Sequence, residues 1–285
     1  MRPTRSNFFK ALSRALAAAV LWAAIHAQPA CGEVPQASAL DAGYENMYNL
    51  QFVAAHQIFA RYQQSYPDDP MGPVSNAAAD LFCEFDRLKI LRSDFYADNK
   101  KFLGGSKIAP DPKVVTDFEA ELAKARQLDE ARLKKNPADQ DALLARVMAT
   151  ALDADYKALI QKQYRQALTE IKQSQGESVE LLKVCADCYD GYLAAGYENY
   201  LLSQKPASER WLLRLTGAQT DKQVGINELT IVADKGHYLK PYAKVLLAIA
   251  ALRDNKKQEA RSYLAELSEE FPQNDLFRQE LKKLS

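Results

Sequence analysis

The chain has 285 residues, 47% hydrophobic and 26% charged, with 37 basic and 37 acidic side chains that cancel. This composition excludes a disordered polyelectrolyte, and the even charge argues against a nucleic-acid binder, which needs a basic face. Only 11 Gly and 12 Pro are present, few for a turn-dense all-β protein; helix-forming residues dominate beyond position 110, so the chain reads as almost wholly helical.

The first thirty residues stand apart. Arg2, Arg5, Lys10 and Arg14 form a basic stretch without an acid, followed by the apolar run Ala15 to Ile25. That run is shorter than the ~20 residues a membrane-spanning helix needs. Residues 1–27 are therefore read as a secretory signal peptide cleaved after Ala27, with an uncleaved anchor as the alternative. Losing its four basic residues leaves the mature chain at a net charge of −4. No basic stripe remains for an anionic membrane surface. Residues 28–36 form a short linker. Within it, Gln28-Pro29-Ala30 precedes Cys31; Ala30 suits the box before a lipidated cysteine, whereas Gln28 and Pro29 do not.

Ala37 to Leu50 and Phe52 to Tyr66 form the first predicted helix pair, ended by Pro67-Asp68-Asp69-Pro70. Val74 to Leu91 follows, with Leu81, Phe82, Phe85 and Leu88 on its apolar side and Cys83 packed beside them. Leu103-Gly104-Gly105-Ser106-Lys107 and Pro110-Asp111-Pro112 read as one long loop. Thr116 to Lys135 is a helix with a capping box at Thr116 and Glu119, and Asn136-Pro137 stops it. Asp139 to Leu159 and Lys162 to Gln173 come next, with Gly176 as a break. Ser178 to Leu202 reads as one long helix. It carries Cys185-Ala186-Asp187-Cys188 as two small thiols on one face, with a disulfide or a redox pair as alternatives. A short helix over Ser208 to Leu215 precedes Asp221 to Lys235, His237 to Arg253 and Lys256 to Phe271. Asn274 caps a last helix, Asp275 to Leu284.

One spacing occurs at both ends of the chain. Gly43, Ala55, Phe59 and Pro67 are separated by twelve, four and eight residues, and so are Ala248, Ala260, Leu264 and Pro272. Small residues let two helices approach, and the large one fills the groove between them. A second echo pairs Ala42-Gly43-Tyr44-Glu45-Asn46 with Ala195-Gly196-Tyr197-Glu198-Asn199. An Ala or Gly also opens the buried side of successive second helices at Ala55, Ala125, Ala167, Gly225 and Ala260.

These residues resemble the tetratricopeptide repeat, whose units carry a glycine in the first helix, Ala-x-x-x-Phe in the second and a closing proline. Units 37–67 and 241–272 fit best. They depart at the tryptophan position (Ala39 and Lys244) and at the tyrosine position (Asn46 and Ala251), and the centre resembles the family through helix pairing alone. The resemblance implies an all-α fold over 37–285, an α-solenoid of antiparallel helix pairs wound as a right-handed superhelix. It also implies a protein or peptide partner lying along the first helices. Tyr44, Met47 and Tyr48 fall on the side of the first helix expected to be exposed, and Tyr242 occupies the corresponding side near the end.

No residue pattern announces chemistry. His56 and His237 lack a second ligand at useful spacing, and no cysteine has a sequence-near histidine to activate it. Gly104 to Lys107 lacks the frame of a phosphate loop, and Glu266, Glu269 and Glu270 read as a solvated face. The expectation is a non-enzymatic interaction scaffold, exported to the periplasm or outer membrane, without metal or cofactor. Membrane contact would come only through an uncleaved signal or a lipid anchor. The alternatives are an envelope assembly or transport lipoprotein anchored at Cys31, and a thiol redox protein using Cys185 and Cys188.

Overall fold

The computed structural model describes residues 36–92, 108–204 and 220–284. The signal peptide read over 1–27, Cys31, the Leu103 to Lys107 loop and the helix read over Ser208 to Leu215 lie outside the described residues. Among the described residues there are eleven α-helices and no strand: α1 (Gln36–Tyr48), α2 (Phe52–Ser65), α3 (Met71–Arg87), α4 (Pro112–Lys135), α5 (Gln140–Asp155), α6 (Tyr164–Val184), α7 (Tyr192–Ser203), α8 (Lys222–Lys235), α9 (Lys240–Arg253), α10 (Lys257–Glu270) and α11 (Asp275–Lys283). Each helix packs on the next, so α1/α2, α3/α4, α5/α6, α7/α8 and α9/α10 form five successive pairs.

The small residues do what their spacing requires. Ala55, Ala125, Ala167, Gly225 and Ala260 are all buried, one on each second helix. Four residues on, Phe59, Ile171, Leu229 and Leu264 fill the groove, and Asp129 takes that place in α4. A Cβ added at Gly43 would lie 2.7 Å from two atoms of the Phe59 ring and closer still to a third. At Gly225 it would lie 2.6 Å from the Tyr200 backbone nitrogen, so the α7 and α8 backbones touch.

The turns repeat more faithfully than the side chains. Four first helices end the same way, in a left-handed residue that is not glycine: Leu50 (φ 60°), Lys89 (φ 62°), Lys162 (φ 60°) and Asn255 (φ 59°). At three of them the next N–H returns to the carbonyl five residues back, Gln51 to Asn46, Ile90 to Phe85 and Lys256 to Ala251, at 2.8–2.9 Å. Each left-handed residue costs about 1 kcal/mol or more without glycine, offset by satisfying carbonyls that the helix end would orphan.

Four second helices also end alike. Tyr66-Pro67-Asp68-Asp69, Asn136-Pro137-Ala138-Asp139, Cys185-Ala186-Asp187-Cys188 and Phe271-Pro272-Gln273-Asn274 share one course. The fourth residue's N–H donates to the first residue's carbonyl at 3.0–3.2 Å. In three of these turns proline stiffens the second position and the fourth side chain caps the following helix. Asp69 accepts from the Met71 N–H, Asp139 from Ala142 and Asn274 from Leu276, at 2.9–3.0 Å. The Cys turn has neither device. Instead Cys185 and Cys188 are joined by a disulfide across its ends, with Cα atoms 5.3 Å apart. After α8 the turn opens at Gly236 and its cap comes from afar: Asp190 accepts from the N–H groups of His237, Tyr238 and Leu239 at 2.8–3.2 Å.

The helix expected over Ser178 to Leu202 is therefore two helices. Helix α6 passes through Gly176 and stops at Val184, and the disulfide lies in the turn beyond it rather than on a helix face. An exposed glycine weakens a helix by roughly 1 kcal/mol relative to Ala but removes no hydrogen bond, so it need not break one. The capping box at Thr116 is also displaced: α4 begins four residues earlier, with Pro112 in its first turn and Asp111 as its cap. The Thr116 hydroxyl donates to the Pro112 carbonyl within the helix.

The first and last pairs meet. Tyr44 stacks on Tyr238 with ring centroids 4.7 Å apart, and Tyr48 packs against Phe271 at 5.4 Å. Asn274 donates to the Tyr48 carbonyl at 2.7 Å, and the Gln273 N–H donates to Asn49 at 3.0 Å. This junction corrects the exposure expected for Tyr44, Met47 and Tyr48, which are only 4%, 1% and 5% exposed. The side of α1 facing away from α2 is covered by residues from the other end of the chain.

Candidate functional site

Tyr44, Met47, Tyr48 and Tyr242 belong to one interior aromatic cluster. Phe82 connects them, edge-on to Tyr48 at 6.3 Å and to Tyr242 at 5.3 Å. The Tyr44 hydroxyl bonds Ser75 at 2.8 Å, and the half-buried Tyr242 donates to Asp155 at 3.0 Å. Burial pushes the Asp155 carboxyl up to about 6, opposed by its bonds to Tyr242 and Tyr197.

A cleft of about 420 Å³ lies elsewhere, between the second helices α2 and α4 with the first helix α3 between them. Helical periodicity builds it. Asn76, Asp80 and Cys83 recur at four and three residues on α3; Lys113, Asp117 and Glu121 recur every four on α4. His56 of α2 completes the wall. The start of α4 is pinned by Glu84, which accepts from the Asp111 N–H at 2.9 Å and from Arg87 at 2.6 Å. The register of Lys113, Asp117 and Glu121 follows from that anchor.

His56 holds the α3 side of the cleft together. Its Nδ1 lies 2.7 Å from Asn76 Oδ1, and its Nε2 lies 3.4 Å from Asp80 Oδ1. Asn76 in turn donates to Glu121 at 3.0 Å, and Gln63 donates to the other Glu121 oxygen at 3.1 Å. Lys113 is tied to Asp117 one turn along α4. Asp80 differs from these. Its side chain is 9% exposed, and its Oδ2 has no hydrogen-bond partner. Burial, then Asp117 and Glu121 across the cleft, push its carboxyl up to about 7, against the pull of Lys113.

His56 and Cys83 thus share a cleft, although no sequence motif links them. The pair is not arranged as a base and nucleophile: both ring nitrogens of His56 face Asn76 and Asp80. The Cys83 thiol is pushed up by burial and by Asp80, Glu84 and Asp86, which favours the unreactive thiol. His237 sits at the chain-end junction instead, with Nε2 2.7 Å from Asp41 and its ring on Tyr238. Among the described residues, no group of three or more His, Cys, Asp or Glu side chains is placed to hold a metal ion.

Two acidic residues of α10, Glu266 and Glu270, share one partner. The buried Lys244 of α9 has its Nζ 3.2 Å from both Glu266 and Glu270. An ion pair thus links α9 to α10 at this position. Sequence reasoning passed over the cleft because its residues are ordinary polar positions spaced as on any solvated helix face. Only the meeting of α2, α3 and α4 makes them a site. No protein-family model matches the chain, and no curated protein matches it.

Proposed function

We propose that the protein is a non-enzymatic helical-repeat scaffold of the tetratricopeptide kind, which binds a partner protein or peptide in the bacterial cell envelope. The observation that carries this reading is the α2–α3–α4 cleft. It is large enough for one or two side chains and is lined by polar groups that can orient a ligand. Its histidine is committed to orienting neighbours, which favours recognition over reaction. The partner surface in this reading is the cleft between two second helices, rather than the first-helix face, where the protein's own aromatic side chains already lie.

Two features support an envelope location. The basic-then-apolar leader has the form of a signal peptide. The disulfide suits an oxidising compartment. No helix among the described residues is long and apolar enough to cross a membrane. Mass spectrometry of the mature N-terminus decides between secretion and lipidation. A diacylglyceryl group on Cys31 supports the anchored form, and a free Gln28 removes it.

The thiol redox reading has less support. Cys185 follows the C-terminal end of α6, whose partial negative charge disfavours a thiolate, whereas reactive Cys-x-x-Cys pairs open a helix. The binding reading is tested by capture from envelope extract with the wild-type chain and with Ala120→Arg. Ala120 lines the cleft at an exposed position of α4, so the variant fills the cleft without disturbing the core. Loss of the same captured protein with the variant is expected; equal capture by both removes the cleft as the binding site.

A further inference from the structure

We propose that the α2–α3–α4 cleft recognises an organic cation, a primary ammonium or a guanidinium group, with Asp80 as the residue that receives it. The inference rests on the reading of the cleft as a binding site and names what that site selects.

The cleft's polar groups are satisfied with one exception. Glu121 accepts from Asn76 and Gln63 through separate oxygens. Asp117 is engaged by Lys113, and His56 is held between Asn76 and Asp80. Asp80 is left with one oxygen facing His56 at 3.4 Å and the other without a donor. A buried carboxylate oxygen without a donor is destabilising by about 1–3 kcal/mol or more, so a bound group that supplies N–H donors would relieve it.

Charge points to the same ligand. Three carboxylates line the cleft, Asp80, Asp117 and Glu121, against one lysine. Lys113 is bonded to Asp117, one turn along α4, so no lysine or arginine of the wall is left to bond Asp80 or Glu121. Burial is the main cause of the upward displacement of the Asp80 carboxyl, and the neighbouring Asp117 and Glu121 add to it against the pull of Lys113. An anion would meet repulsion from all three acids. A neutral ligand would leave the Asp80–Glu121 repulsion in place. A cationic donor neutralises it and, with the Asp80 carboxyl turned toward the cleft, bonds the oxygen that is buried without a donor. Ala120 and Val114 flank the acids and offer a short apolar wall for the methylene stem of a basic side chain.

Calorimetric titration of the full chain tests this with three probes. Two are acetylated, amidated Gly-Ser peptides carrying a central lysine or its neutral isostere norleucine, and the third is free 1,5-diaminopentane. The lysine peptide is expected to bind and the norleucine peptide not to. Asp80→Asn should weaken the lysine peptide about ten- to a hundred-fold, the range of a hydrogen bond to a charged group. Ala120→Lys, at an exposed position, places a tethered ammonium in the cleft and should abolish binding with Asp80 intact. It serves if Asp80→Asn loses its helical circular dichroism.

Binding of the diamine as tight as that of the lysine peptide supports the cation chemistry and identifies a free amine as the source. Weaker binding of the diamine identifies a basic side chain of a partner. Equal binding of the lysine and norleucine peptides, or no binding of any probe, overturns the inference. Capture that is lost in Ala120→Arg would still stand in that case, so the cation inference and the binding reading fail separately.

Discussion

The Tyr48 hydroxyl donates to the carbonyl of Tyr238 at 2.9 Å, joining α1 to the turn before α9 across 190 residues. Both groups are buried. The bond sits beside the Tyr44–Tyr238 stack and the Asn274 bond to the Tyr48 carbonyl, so side-chain, ring and backbone contacts together close the array on itself. A linear stack of repeats distributes stability among neighbours. Here the terminal units also depend on each other.

Tyr48→Phe should therefore cost about 1–3 kcal/mol, because it leaves the buried Tyr238 carbonyl without its donor while keeping the ring. Tyr44→Ala should cost about 3–5 kcal/mol by removing the ring that lies between Phe59 and Tyr238. Urea unfolding followed by circular dichroism measures both. A Tyr48→Phe midpoint equal to wild type would contradict the role given to this bond.

Two glycines make opposite predictions. Gly43→Ala drives a methyl into the Phe59 ring and should destabilise by about 1–3 kcal/mol. Part of that loss should be recovered in Gly43→Ala with Phe59→Leu. Gly176→Ala meets nothing within 4 Å and sits exposed inside α6, so it should stabilise by about 0.5–1 kcal/mol. Thermal unfolding of the three variants separates close packing from helix propensity.

Reduction of the disulfide should be a measurable but modest loss. The loop it closes is short, and the chain-entropy relation gives roughly 2 kcal/mol for such a loop. Cys185→Ser with Cys188→Ser should lower stability by up to that amount. Placing proline and aspartate in the second and fourth positions, as Ala186→Pro and Cys188→Asp in a Cys185→Ser background, should restore part of it. No recovery would mean that the Cys turn does not replace the proline turns of the other units.

Stability should fall as pH rises through the range where Asp155 ionises. Its carboxyl is pushed up to about 6 in the folded chain, above the unfolded value, so the folded state favours the protonated form. The stabilisation is present in full at acid pH and is lost as pH climbs through about 6. Asp155→Asn retains an oxygen for Tyr242 and cannot ionise. It should match wild type near pH 4 and exceed it at pH 8 by roughly 3 kcal/mol, about two units of displacement. Asp80 and Asp129, raised to about 7 and about 6, slope the same way. The difference between the two unfolding curves is thus the quantity to read.

The helical character and most helix ends were legible, because proline, asparagine and aspartate mark them locally. Asn274 caps α11 as its position suggests, and Asp221, read as the first residue of a helix, is the cap of α8. The buried small residues were legible too, since a helix-pair crossing demands them in fixed register. Three things were not. The left-handed residues Leu50, Lys89 and Lys162 carry no glycine, so nothing in their identity signals the turn. The Cys turn replaces a proline turn by a bond between side chains, which spacing alone cannot distinguish from two thiols on a helix. The closure of the chain on itself, and with it the burial of Tyr44 and Tyr48, depends on residues 190 or more positions away. The cleft is of the same kind: each helix contributes an ordinary polar stripe, and only their meeting leaves Asp80 without a donor.

The junction between α1 and residues 237–274 also sets an order of events during folding. Until that late segment has emerged, Tyr44 and Tyr48 have Phe59, Ser75 and Phe82 beside them but lack the Tyr238 and Phe271 rings, and a growing chain of more than two hundred residues carries that part of the aromatic face open. Early units can pair locally, but the first helix cannot be finished until the last pair arrives.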